Sequence, residues 1–198
     1  MPKKQKSKNA TVQNSSKSKS ILRVILAATL ILIIPLLGNN FVDGWNWTVG
    51  EFIFAWIVIV CFGLVYVFVS RKMNNSSYRF AVGIAVVTGF LLFWVNAAVG
   101  MIGEDNPANL MYGGVLLIGL VGALIARFQP KVMSLTLFLM ALAQMLVPTI
   151  AIIIWPPEVV SWSPGVFRVF VLNAFFALLW IGSALLFRRA AHKTNKIK

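Results

Sequence analysis

EFIFAWIVIVCFGLVYVFVSRK, residues 51–72, decides the fold. Glu51 stands at one end, Arg71 and Lys72 stand at the other, and no charged side chain lies between them. An apolar run of this length, without the polar stripe of an amphipathic surface helix, reads as a helix crossing a lipid bilayer. Its ends also give it a direction, because Lys and Arg in short connections stay on the cytoplasmic side.

Five more runs of the same kind flank it, near 21–37, 80–101, 110–127, 132–154 and 167–187. The expected architecture is therefore all-α, a bundle of six transmembrane helices within 21–188. A basic tail, 1–20, precedes it and a second, 189–198, follows. The first tail holds Lys3, Lys4, Lys6, Lys8, Lys17 and Lys19 among Ser, Asn and Gln, with no acid. Such a segment has too little apolar surface to bury and is expected to be disordered. The first apolar run contains Pro35 and lacks a small-x-small cleavage site, so it reads as a retained signal-anchor helix.

The connections alternate in charge. Asp43 and Glu51, then Glu104 and Asp105, then Glu158 mark one side. Arg71, Lys72 and Arg79, then Arg127 and Lys131, then Arg188, Arg189, Lys193, Lys196 and Lys198 mark the other. Every acid falls on one side, and every Lys and Arg except Arg168 on the other. The expected topology places both termini in the cytoplasm of a bacterium and the acids outside its inner membrane. Trp45, Trp47, Trp155 and Trp162 lie by the outer connections, where aromatic belts form.

Composition agrees. Of 198 residues, 59% are hydrophobic and 12% charged, with a mean hydropathy of +0.84. A soluble domain carries about 25% charged residues, so this chain cannot coat itself for water. The net charge of +13 is confined to tails and connections, which favours topology over nucleic-acid binding. One Cys, Cys61, excludes an internal disulfide, and with only one His, His192, no cofactor or metal site is expected. Cys61 reads as a small buried hydrophobe.

Helix starts are marked. Thr48 and Glu51 make a Thr-x-x-Glu capping box. Asn106-Pro107 and Ser163-Pro164 suit an N-cap followed by a first-turn proline. Pro35 and Pro148 are expected to kink their helices.

Chemistry is sparse. No Asp, Glu, Lys, Arg or His lies near the middle of a span, where proton-coupled carriers place such groups. Walker, G-x-S-x-G and H-E-x-x-H motifs are absent. The richest stretch is 94–110, WVNAAVGMIGEDNPANL. If the third helix runs through it, Asn96, Gly100 and Gly103 share one face. Two readings fit: a tight outer hairpin whose acids cap helices, or a polar outer site built from Asn96, Glu104, Asp105, Asn106 and Asn109. Gln144 and Asn173 are amides inside later spans, expected to make intramembrane polar contacts together with Thr88 and Arg168. In the fourth span, Gly119, Gly122, Ala123 and Ala126 form small-x-x-x-small pairs, suited to packing within the chain or to self-association.

The pattern W-x-N-x-A-V-G-x-I-G-x-x-N-P-A-N-L over 94–110, with Tyr78-Arg79 and Ala126-Arg127-Phe128-Gln129-Pro130, resembles the signature of a family of bacterial multipass inner-membrane proteins. The resemblance spans about 45–155. It implies a multipass membrane protein and brings no activity with it.

The residues thus point to a non-catalytic accessory protein that binds a membrane partner or lipid. A small transporter or channel is the alternative, with Asn96, Gln144 and Asn173 along a polar path and an acidic outer mouth. An outer-surface enzyme using Glu104 and Asp105 ranks third, since two adjacent loop carboxylates make no tuned acid/base pair by themselves.

Overall fold

The computed structural model describes residues 18–195; most of the first basic tail, 1–17, and residues 196–198 lie outside the described residues. The expected disorder of 1–20 therefore falls outside them up to position 17, while Ser18, Lys19 and Ser20 already form the first turn of a helix. Six helices are long and apolar enough to cross a membrane. They are α1 (Ser18–Phe41), α2 (Val49–Ser70), α3 (Ser76–Ala98), α4 (Met111–Ile125, entered through a 3-10 turn at Pro107–Leu110), α5 (Pro130–Ile154) and α6 (Val166–Asn195). No strand occurs among the described residues. At 1.5 Å per residue, α2 is about 33 Å long, enough for a hydrocarbon core of about 30 Å.

The chain divides into two compact units, one ending at Phe68 and the other beginning at Val69. In the first, α1 is interrupted at Leu32, three residues before Pro35. Proline has no N–H to give to the carbonyl four residues back, so the helix loosens there. Gly63 of α2 lets α1 approach: a Cβ at that position would come within 2.6 Å of Val24 Cγ1. The Trp56 indole N–H donates to Thr29 Oγ1 at 3.2 Å, tying the same two helices. The Thr48 and Glu51 capping box forms. The Glu51 carboxylate accepts from the Thr48 main-chain N–H and, at 2.8 Å, from the Thr48 hydroxyl, while the Glu51 N–H donates to Thr48 Oγ1 at 3.4 Å. Cys61 is exposed on α2, not buried as its sequence context suggests. On a helix apolar all round, composition does not say which face is covered.

In the second unit, α6 packs along both α5 and α3, and α4 packs on α5. Leu92, Tyr112, Trp180 and Phe187 lie fully buried between these helices. Outward-facing Leu117, Leu120, Leu124, Leu135 and Leu142 are all exposed. A water-soluble bundle would hide such a surface; a lipid-facing one displays it.

Three departures from the sequence reading bear on the site and its surroundings. The third helix ends at Ala98 rather than near 101, because Gly100 adopts φ +68° and Gly103 φ +116°. Glycine meets no Cβ penalty in that region and is the usual helix terminator. Asn96, Gly100 and Gly103 therefore do not share a helical face. Ser163-Pro164 does not cap α6, which starts two residues after Pro164 behind Gly165 at φ +115°. Finally, α6 continues past 188 to Asn195. Arg, Ala and Lys are strong helix formers, and His192 and Lys193 occupy the last turn, where the helix dipole favours cations.

Candidate functional site

Two polar constellations stand out, both within the unit that begins at Val69. The first is the hairpin between α3 and α4. Its centre is Asn109. The Asn109 side-chain oxygen accepts the main-chain N–H groups of Met101 (3.0 Å) and Ile102 (3.1 Å), and its Nδ2 donates to the Gly103 carbonyl. Asn96 Nδ2 donates to the Asn109 main-chain oxygen at 3.1 Å. Asn106 caps the 3-10 turn through its side-chain oxygen, which accepts from the Ala108 N–H at 3.0 Å, with Pro107 next in the first turn. Met101, Ile102 and Ala108 are fully buried, so these backbone groups have no water to turn to and the asparagines replace it.

The glycines of this stretch are fitted to close neighbours. A Cβ on Gly100 would lie 2.5 Å from Asn109 Nδ2, and one on Gly103 would lie 2.9 Å from the Ser161 carbonyl oxygen. The 155–165 connection thus presses on the hairpin. It is itself braced by Trp162, whose buried indole donates to the Trp155 carbonyl at 2.8 Å.

Of the expected outer site, Asn96, Asn106 and Asn109 are brought together as braces of the hairpin. Glu104 and Asp105 are exposed at its tip. The sequence stretch therefore builds a locked turn, with its carboxylates outside the asparagine network.

The second constellation is a knot of amides in the bundle. Asn173 on α6 accepts, on one side-chain oxygen, both the Tyr112 hydroxyl from α4 (3.0 Å) and Gln144 Nε2 from α5 (2.9 Å). Asn173 Nδ2 donates to the Val169 carbonyl one turn back at 2.9 Å. The Trp180 indole N–H reaches Gln144 Oε1 at 3.5 Å. Gln144, Asn173 and Tyr112 are fully buried and Trp180 is 1% exposed. Gln144 and Asn173 meet in this knot, whereas Asn96 belongs to the hairpin. Thr88 hydrogen-bonds the Ile84 carbonyl of its own helix. Arg168 is exposed on the first turn of α6 and takes no part in the knot, because a cation there can extend to the water interface.

Tyr112 and Trp180 were not singled out by sequence, since both read as apolar bulk. Their signal is the polar tip that each must satisfy once buried. Tyr78, which the sequence offers only through the Tyr78-Arg79 pair of the resemblance, is fully buried and its hydroxyl donates to the Phe128 carbonyl at 2.9 Å, and the buried Ser183 donates to the Ala81 carbonyl at 2.7 Å. Arg127 and Phe128 both have positive φ (46° and 61°) in the short turn that Tyr78 clasps.

The small-residue stripe on α4 faces α5. A Cβ on Gly119 would meet Met140 at 2.8 Å, one on Gly122 would run into Thr136, and Ala126 is buried. With Ala123 packed against the same core, this stripe is used inside the chain, the first of its two readings. In comparisons with family models, curated proteins and solved structures, nothing matches the chain.

Proposed function

We propose that this chain is a non-catalytic accessory protein of a bacterial cytoplasmic membrane, with both termini in the cytoplasm, which binds a membrane partner or lipid. The observation that carries this reading is the amide knot. A permeation path needs polar groups with hydrogen-bonding capacity left for a passing solute or ion. Here the Asn173 amide is engaged at both its oxygen and its nitrogen, and Gln144 is held between Asn173 and Trp180. In the hairpin, Asn96 Nδ2, Asn106 Oδ1 and both ends of Asn109 are spent on main chain, the buried Asn96 Oδ1 and Asn106 Nδ2 have no hydrogen-bond partner among the described residues, and the two carboxylates beside them stand in the open. What the bundle offers to its surroundings is shape, apolar surface and charged ends. The alternation of acidic and basic connections supports the orientation.

The test is native mass spectrometry of the full chain gently extracted from its own membrane. A stoichiometric protein partner or a retained lipid is the expected result. A bare monomer or a homo-oligomer would overturn the reading and redirect attention to flux measurements on Asn96, Gln144 and Asn173 variants.

A further inference from the structure

At the basic end of the α5–α6 pair lies a cavity of about 370 Å³ lined by Lys131, Ser134, Leu135, Phe138, Arg188, Ala191 and His192. The lining is ordered along the helices. Lys131, Ser134, Leu135 and Phe138 follow the i, i+3, i+4, i+7 spacing of one α5 face, and Arg188, Ala191 and His192 the i, i+3, i+4 spacing of one α6 face. Lys131 sits on the first turn of α5 and Phe138 about 10 Å deeper at 1.5 Å per residue. The mouth is therefore cationic and hydroxylic, and the wall behind it is apolar.

Several features reinforce the positive character of the mouth. The first turn of α5 has no side-chain cap, so its free N–H groups point toward the same end. Neither α5 nor α6 contains a carboxylate that could neutralise the cations. Ser134 is 6% exposed and adds a hydroxyl between the charged rim and the apolar wall. A free inorganic anion would use the rim alone. A ligand with a phosphate head and an acyl tail uses both parts.

We infer that the cavity between α5 and α6 binds an anionic phospholipid, with the phosphate held by Lys131, Arg188 and Ser134 and an acyl chain lying along Leu135 and Phe138. This rests on the accessory reading above and deepens it by naming a ligand class and its site. His192 closes the rim on the α6 side. Basic pockets between spanning helices at the cytoplasmic face are suited to lipid head groups of this kind.

The experiment compares lipid retention by the full chain from mixed vesicles of phosphatidylglycerol and phosphatidylcholine, read by native mass spectrometry. The wild type is expected to retain phosphatidylglycerol selectively. Lys131→Gln with Arg188→Gln should reduce that selectivity by about five-fold for each charge removed. Leu135→Gln should weaken retention with the rim charges intact. Arg189→Gln, a cation beside the cavity but not lining it, should leave selectivity unchanged. The four substituted positions are all exposed, so the variants keep the buried core, and helical circular dichroism checks that they fold.

Equal selectivity in wild type and the double variant would overturn the site. So would an equal loss with Arg189→Gln, which would mean a diffuse basic surface. Displacement of the lipid by millimolar inorganic phosphate, with Leu135→Gln silent, would overturn the lipid and leave a free-anion site. A protein partner that still co-purifies with a double variant of unchanged selectivity would show that the accessory reading survives failure of this one.

Discussion

Asn96 and Asn109, thirteen residues apart, are joined by a hydrogen bond from the Asn96 amide to the Asn109 main-chain oxygen, which ties the end of α3 to the 3-10 turn. Asn109 in turn holds two N–H groups and one carbonyl of the loop between them. The hairpin is thus folded around side chains that stand in for backbone. Asn109→Ala should leave the buried Met101 and Ile102 N–H groups unpaired, each such loss costing about 1–3 kcal/mol. Unfolding in mild detergent, followed by tryptophan fluorescence, should show a clear drop in midpoint. A wild-type midpoint would mean the loop is not held this way.

At Asn106 the two ends of the side chain have different fates. Its oxygen caps Ala108, while its buried Nδ2 has no hydrogen-bond partner among the described residues. Asn106→Ser keeps a capping oxygen and discards the unpaired amide, so its stability should match or exceed wild type. Asn106→Ala loses the cap and should cost about 1 kcal/mol. A reversed ranking of the two variants would contradict the assignment.

The amide knot predicts non-additivity. Asn173→Leu strands the Tyr112 hydroxyl and Gln144 Nε2 together. Interhelical bonds of this kind average about 0.6 kcal/mol in membranes, with a maximum near ~1.7. Gln144→Leu with Asn173→Leu should be less destabilising than the sum of the single changes, because the double variant removes both partners. Strict additivity in a double-mutant cycle would show that the pair is not coupled.

Gly122 and Gly113 should answer differently to substitution. A Cβ at Gly122 would enter Thr136, whereas Gly113 has nothing within 4 Å. Gly122→Val should therefore cost about 1–3 kcal/mol through overpacking, and Gly113→Ala should be neutral or mildly stabilising. Equal midpoints for the two variants would mean that α4 and α5 do not approach at Gly122.

Glu104→Gln and Asp105→Asn change exposed side chains outside the asparagine network. Each should shift stability by no more than about 0.5 kcal/mol. A large loss of stability in either variant would place that carboxylate inside a structural contact.

How much of this was legible in the chain depends on what each residue's signal measures. The spans are plain because uninterrupted apolar length is the signal itself: residues 52–70 have no alternative reading. The end of α3 is less so. Gly100 and Gly103 fit a helix by spacing, and only their backbone angles reveal a turn. Basic residues mark the edge of a bilayer but do not stop a helix, so the sequence places the end of α6 too early. Gln144 and Asn173 were visible as polar letters in apolar runs; Tyr112 and Trp180, which complete the knot, were camouflaged by their rings. The cavity at Lys131 and Arg188 was hidden for a different reason. Its two faces lie far apart in the sequence, and each alone looks like an orientation signal.

Cys61, the only thiol of the chain, is exposed partway along α2. The protein therefore carries one native attachment point for a spin label or fluorophore partway along a helix long and apolar enough to cross a membrane. Quenchers placed at graded heights in the bilayer could then gauge the immersion of α2 without engineering a single residue.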